Sequence, residues 1–243
     1  MVSPDIKYVL LASDTERDGT SNYHVYEVQT QNHFPLSSEP RNPPRLQRVL
    51  WAPNTTKTIN RYKIKTQAIA FVYKNDVYFK PKVKSDLVCR ITTTGEDGII
   101  YNGVPNWMYS NTPELHSETL AFSPDGIYLA FLQFNDSQVR EYQYTWLGDN
   151  QKYPSVKSVR YAKATTVNPN VTVLIANLLA LKLIDIQQIR LPASVKNGSY
   201  IGGMTWISNK DLSVTVTERD QGSAVTCICR APQFNCREVC ILG

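Results

Sequence analysis

The chain has 243 residues, enough to bury a sizeable core as one domain or as part of a repeat array. Its 26 basic and 21 acidic residues leave +5, spread along the chain without a dense basic run, which argues against nucleic acid as a partner and for an ordinary solvated exterior. No apolar run reaches the roughly 18 residues of a membrane-spanning helix; the most apolar, Val171 to Ile184, is interrupted by Asn177 and Lys182.

The composition, rich in Tyr, Val, Ile and Thr, favours strands, and a turn pattern with a strand behind it recurs along the chain. Ser3-Pro4-Asp5 leads into Tyr8-Val9-Leu10-Leu11, and Tyr23 to Val28 alternates around His24 and Tyr26. Trp51-Ala52-Pro53 leads, after a basic and polar insertion from Asn54 to Gln67, into Ala68-Ile69-Ala70-Phe71; a Lys74-Asn75 turn then precedes Asp76-Val77-Tyr78-Phe79. Phe122-Ser123-Pro124-Asp125-Gly126 leads into Tyr128-Leu129-Ala130-Phe131, and a looser copy, Trp206 to Asp211, leads into Leu212 to Val216. Proline presets φ and Asp-Gly or Asn-Lys supplies the turn, so each copy predicts a hairpin. Val171 to Ala176 and Ile186 to Leu191 add two more strands around a connection. Many short strands with turn signals predict an all-β fold, and strand sets recurring every 40–50 residues or so predict propeller blades, roughly five in this length. The one helical turn expected is Pro113 to Ser117, with Thr112 as its N-cap.

The N-terminal MVSPDIKYVLL lacks the basic region and cleavage site of a signal peptide. Asn-x-Ser/Thr sequons at Asn54, Asn135, Asn170 and Asn197 are candidate glycosylation sites. Four of the five cysteines cluster as Cys227, Cys229, Cys236 and Cys240, leaving Cys89 apart. A hairpin turning through Ala231-Pro232-Gln233 sets Cys229 opposite Cys236, which favours a disulfide and an oxidising compartment. Cys227 with Cys240 is a candidate second bridge, two residues out of register. Zinc is the weaker alternative, because the first pair is closer than the usual Cys-x2–4-Cys knuckle. The histidines, His24, His33 and His116, sit in no recognisable catalytic motif, and no Gly-x-Ser-x-Gly elbow occurs, Gly19-Thr20-Ser21 lacking the closing glycine. No metal or cofactor is expected.

From Ile99 to Ser137 the chain strings together a Tyr-Asn-Gly turn, Trp107-x-Tyr109, the FSPDG turn and Gln133-Phe134-Asn135-Asp136-Ser137. Tyr153-Pro154, Val159-Arg160-Tyr161, Lys163-Ala164, Val167-Asn168-Pro169, Pro192-Ala193-Ser194, Thr205-Trp206 and the Cys229…Cys236 hairpin follow in order. Together these resemble the N-terminal β-propeller of the dipeptidyl peptidase IV family. The resemblance implies that residues 1–243 form about the first five blades of an irregular eight-bladed propeller. In complete members a C-terminal α/β-hydrolase domain with a Ser-Asp-His triad follows, so this part is not catalytic alone.

The resemblance implies an extracellular or cell-surface protein, type II membrane-anchored in complete members. It implies as partners the hydrolase domain, a peptide substrate or a membrane protein, and a homodimer. Two functions of different class follow: gating of substrate access in a serine exopeptidase, or a non-catalytic scaffold for a membrane protein. An unrelated interaction propeller is the third reading.

The family holds a substrate's free α-ammonium with two adjacent glutamates just after the Trp-x-Tyr pair, and here that offset carries Ser110, Asn111 and Thr112. Glu114, and behind it Glu118, are candidate substitutes. Arg17 lies near the family's arginine for the substrate carbonyl, in a poor local match. Left as five blades, such a chain exposes sheet edges and is expected to associate with itself.

Overall fold

The computed structural model describes residues 1–16, 19–36, 44–53, 58–59, 62–63, 67–111, 118–148, 152–181 and 183–242. They form an all-β fold whose sheets follow one another as blades of an incomplete propeller. The first sheet is a meander of β1 (Tyr8–Ser13), β2 (Asn22–Glu27) and β3 (His33–Pro35). The second orders β4 (Arg48–Trp51), β7 (Ile69–Tyr73), β8 (Asp76–Lys80) and β9 (Cys89–Arg90), with a small ribbon of β5 (Thr58–Ile59) and β6 (Tyr62–Lys63) inside the insertion.

The third centres on β12 (Tyr128–Asn135), flanked by β10 (Ile100–Asn102) and β11 (Leu120–Phe122) on one side and β15 (Asn170–Asn177) then β16 (Asp185–Gln188) on the other. The fourth is a meander of β17 (Tyr200–Trp206), β18 (Asp211–Thr217), β19 (Ala224–Arg230) and β20 (Asn235–Leu242). Between β12 and β15 the chain leaves the sheet as a two-stranded arm, β13 (Glu141–Trp146) and β14 (Ser155–Arg160). The described residues thus hold four blade-like sheets; the length that suggested a fifth is spent partly on this arm and on the insertion after β4.

The repeated turn has a shared physical basis. In the Ser3 copy the Ser3 hydroxyl donates to Asp5 Oδ1 at 2.7 Å and accepts the Tyr8 N–H at 2.9 Å, while Asp5 Oδ1 accepts the Lys7 N–H at 3.2 Å. Ser123, Asp125, Ile127 and Tyr128 repeat the three bonds at 2.7, 3.2 and 2.9 Å. The fourth turn position is left-handed in both, Gly126 at φ 69° and Ile6 at φ 59°. The Lys74-Asn75 turn is a two-residue connection with both residues at positive φ, the form that matches strand twist.

The core lies between sheets. Alternation sends Leu129 and Phe131 of β12 toward the second sheet, against Val77 and Phe79, and sends Leu132 and Phe134 toward the fourth, against Met204 and Val214. Because both faces are covered, β12 reads as a nearly continuous apolar run rather than an alternating one.

Polar pins tie the joints. Between the second and third sheets, Asp76 Oδ1 accepts from Thr92 Oγ1 (2.6 Å), the Gly95 N–H (2.9 Å) and Asn102 Nδ2 (3.3 Å). The Tyr-Asn-Gly turn feeds this joint: Asn102 is fully buried, and Gly103, at φ 72°, lies so close to Val77 and Val72 that a Cβ would meet both at 3.1–3.2 Å. Between the third and fourth sheets, Trp206 Nε1–H donates to the Ala121 carbonyl at 3.1 Å.

At the end of the fourth sheet Cys229 and Cys236 are directly paired across β19 and β20, with Cα atoms 4.0 Å apart, and joined as a disulfide. Cys227 and Cys240 are not joined. A register shift between Thr226 and Cys227 sets Cys240 across from Thr226 and Cys227 across from Glu238, leaving one thiol buried and the other exposed.

Candidate functional site

The segment that the sequence singled out is a five-residue helix, α1 (Trp107–Asn111), six residues before the place where the sequence predicted a helical turn. The stretch Thr112 to Ser117, with Glu114 and His116, lies outside the described residues, as do Arg17 and Asn54. Asn106 starts α1. Its side-chain Oδ1 accepts the Tyr109 N–H at 3.0 Å, satisfying one of the orphan donors of a helix N-terminus. Its Nδ2 donates to both oxygens of Asp136, at 2.9 and 3.1 Å. The helix is thereby locked to the end of β12.

Asp136 is 1% exposed. Burial raises its pKa above the ordinary carboxylate value, against the Asn106 hydrogen bond and the Arg160 charge, which lower it.

The Trp-x-Tyr pair divides its labour. Tyr109 points in: it is 1% exposed, its ring meets Phe134 edge-on at 4.7 Å, and its hydroxyl oxygen accepts the Ile201 N–H at 2.9 Å. Among the described residues β17 is an edge strand of its sheet, so Ile201 offers a backbone donor that no described strand partners on that side. Tyr109 fills that vacancy and fastens α1 to the fourth sheet. Burial pushes its phenol pKa well up.

Trp107 points out and packs edge-on against Tyr161 at 5.0 Å. It separates two pockets. One, of about 610 Å³, is walled by Trp107, Tyr161 and the arm residues Tyr142 and Tyr144, with the Lys163 ammonium 5.3 Å from the Tyr142 ring centre. The other, of about 320 Å³, gathers Asp97, Asp136, Glu141 and Arg160, of which Arg160 and Glu141 pair at 3.0 Å.

Ser110 and Asn111 stand exposed at the end of α1 with their polar groups already engaged. The Ser110 hydroxyl donates to the Trp107 carbonyl at 3.0 Å, and Asn111 Nδ2 donates to the same carbonyl at 2.7 Å and to Ser110 Oγ at 3.3 Å. Neither carries charge, and among the described residues nothing donates to Asn111 Oδ1. Glu118 is exposed and lies within electrostatic reach of Arg48, whose Nη1 donates to Thr119 Oγ1 at 2.8 Å.

Sequence reading named Ser110 and Asn111 but missed what positions them. The Asn106 cap and the Asn106–Asp136 pair carried a usable signal, an N-cap residue type directly before Trp107. The Tyr109–Ile201 bond carried none, because its partners are 92 residues apart.

The family model for the dipeptidyl peptidase IV (DPP IV) N-terminal region matches residues 3–241. The chain belongs to that family. Among curated relatives it is 31% identical to dipeptidyl peptidase 4 of Sus scrofa over 94% of its length, and 30% identical to prolyl endopeptidase FAP of Mus musculus over 94%. It is also 30% identical to inactive dipeptidyl peptidase 10 of Rattus norvegicus over 97%. In each case it spans less than a third of the relative: 29%, 28% and 28%.

The crystal structure of Porphyromonas gingivalis dipeptidyl peptidase 4 superposes with a TM-score of 0.83 at 21% identity, covering 98% of this chain and 32% of that one. That likeness establishes the propeller fold and no more. Among the described residues no helix is long and apolar enough to cross a membrane.

Proposed function

We propose that this chain is the propeller part of a dipeptidyl-peptidase-IV-like ectodomain, outside the cell or at its surface. There it gates substrate access to a hydrolase domain, forms partner surfaces, and does no catalysis alone. We further propose that it recognises peptide N-termini differently from members with paired glutamates. The observation that carries this is the end of α1, where two neutral side chains bonded to their own helix stand at the family's acidic offset. A free α-ammonium is held well by carboxylates through charge-assisted hydrogen bonds, each about twice as strong as a neutral one.

The test is Asn111→Glu with Thr112→Glu in a complete propeller–hydrolase protein, comparing affinity for free and N-acetylated peptides. Each new ammonium–carboxylate bond contributes roughly 1.5–3 kcal/mol, so preference for the free amine should rise at least about tenfold. If the unmodified protein already prefers the free amine a hundredfold, another acid, Glu114 first in line, does this work and the proposal fails.

A second reading, a non-catalytic scaffold that binds a membrane protein, draws on the 30% identity to a relative named inactive and on the exposed aromatic arm, where Tyr142 and Tyr144 stack outside the sheet. Transcript sequence downstream of Gly243 separates the two: a Gly-Trp-Ser-Tyr-Gly-like elbow supports the exopeptidase, and its absence supports the scaffold.

A further inference from the structure

Two of the sequons meet in space. Asn135 closes β12 and Asn170 opens β15, and the antiparallel register pairs them directly, Asn135 with Asn170. Directly opposed residues send their side chains to the same face of a sheet, with Cα atoms about 4.5–5.5 Å apart. Asn135 has Ile100 of β10 as its neighbour on the other side, so it sits between two strands and is half-buried. Its Oδ1 accepts the Ser137 N–H at 2.9 Å. Asn170 is exposed, and its outer neighbour β16 pairs only with Leu174 to Asn177. Both sequon hydroxyls, Ser137 and Thr172, lie two residues on.

We propose that Asn135 and Asn170 form one shared glycosylation position that carries a single N-glycan per folded molecule. The inference rests on the extracellular part of the functional reading. Transfer replaces one Nδ2–H bond with a bond from Nδ2 to C1 of the first sugar; the donor's lipid-linked diphosphate leaves from C1, and the amide proton is lost. Directly opposed side chains have Cβ atoms about 4.5–5.5 Å apart, so a sugar linked to one Nδ2 would crowd the other's amide. Once one is modified, its ring covers the other's amide.

Timing reinforces the geometry. The chain emerges at about 5–20 residues per second, so Asn135 is presented some seconds before Asn170. A chain modified at both positions before β12 and β15 pair cannot seat both rings on one face and close the register beside them. It is therefore lost from the secreted pool. Asn197 is exposed beside Gly198, whose carbonyl accepts from Asn168 Nδ2 at 2.9 Å two residues before Asn170, and it serves only to report exposure to the transfer machinery.

The experiment expresses the chain behind a secretion leader in a mammalian host and weighs the secreted protein intact. An Asn54→Gln background leaves only the pair and the control. Asn197 occupancy, read by peptide mapping, reports whether the chain met the transfer machinery at all and so separates failure of the extracellular reading from failure of this one. With Asn197 occupied, the expected result is at most one glycan over Asn135 and Asn170, and a transfer of occupancy to the remaining site in both Asn135→Gln and Asn170→Gln. Secreted molecules with both positions modified overturn the proposal. So does an Asn170 occupancy that Asn135→Gln leaves unchanged, or a bare pair on molecules glycosylated at Asn197.

Discussion

Replacing Tyr109 by Phe removes one oxygen atom from a fully enclosed site and leaves the ring in place. The packing against Phe134 at 4.7 Å survives, so no cavity larger than a hydroxyl opens. What is lost is the acceptor for the Ile201 N–H, a buried donor at the edge of β17 held at 2.9 Å. An unsatisfied buried N–H costs roughly 1–3 kcal/mol, more than the net value of the bond, because the group was dehydrated on folding and receives nothing in exchange. With a urea dependence of about 3 kcal/mol per molar, the unfolding midpoint of Tyr109→Phe should fall by roughly 0.3–1 M.

Hydrogen exchange at the Ile201 amide should accelerate by a larger factor than exchange in β18, since the opening is local to the joint. Tyr109→Ala should cost more, about 3–5 kcal/mol, by adding the cavity. An unchanged midpoint together with unchanged Ile201 exchange in Tyr109→Phe would falsify the view that this hydroxyl fastens α1 to the fourth sheet.

Three further outcomes concern Ile6, the Cys229–Cys236 bridge and Asp136. Ile6 holds a left-handed conformation at φ 59° in the place that Gly126 fills in the matching turn, and it is 72% exposed, so Ile6→Gly should stabilise by about 1 kcal/mol, read as a higher denaturation midpoint. The Cys229–Cys236 bridge spans 7 positions, and closing so short a loop is worth about 2.4 kcal/mol in chain entropy; Cys229→Ser with Cys236→Ser should lose about that much, and equal stability with and without reductant would contradict it. Burial raises the Asp136 pKa, so the folded state holds this proton more tightly than the unfolded one. Stability relative to Asp136→Asn should therefore fall as pH climbs from about 4 through the raised value and then level off. Parallel pH profiles for the two proteins would show that Asp136 does not titrate in that window.

Much of the fold was legible because its signals are local. The Ser-Pro-Asp turn announces itself in residues 3–5 and 123–125, and the same three hydrogen bonds form at both. The Lys74-Asn75 turn and the strands either side of it were readable for the same reason. The arm β13–β14 was not: its alternation around Tyr142 and Tyr144 is that of any hairpin, and nothing in it says that the chain has left the sheet. Nor was α1, whose five residues are too few for a helical period.

The sequence by itself determined the all-β class, the turn positions, the family resemblance and the absence of carboxylates at residues 110–112, because each depends on residue type and short spacing. Only the tertiary structure decided that Tyr109 bonds Ile201, that Asn106 grips Asp136, that Cys240 faces Thr226 rather than Cys227, and that Asn135 lies beside Asn170. Those pairings are set by strand register and by the stacking of one sheet on the next. Register depends on every pair along a ladder at once, and a shift of one residue turns each side chain to the opposite face.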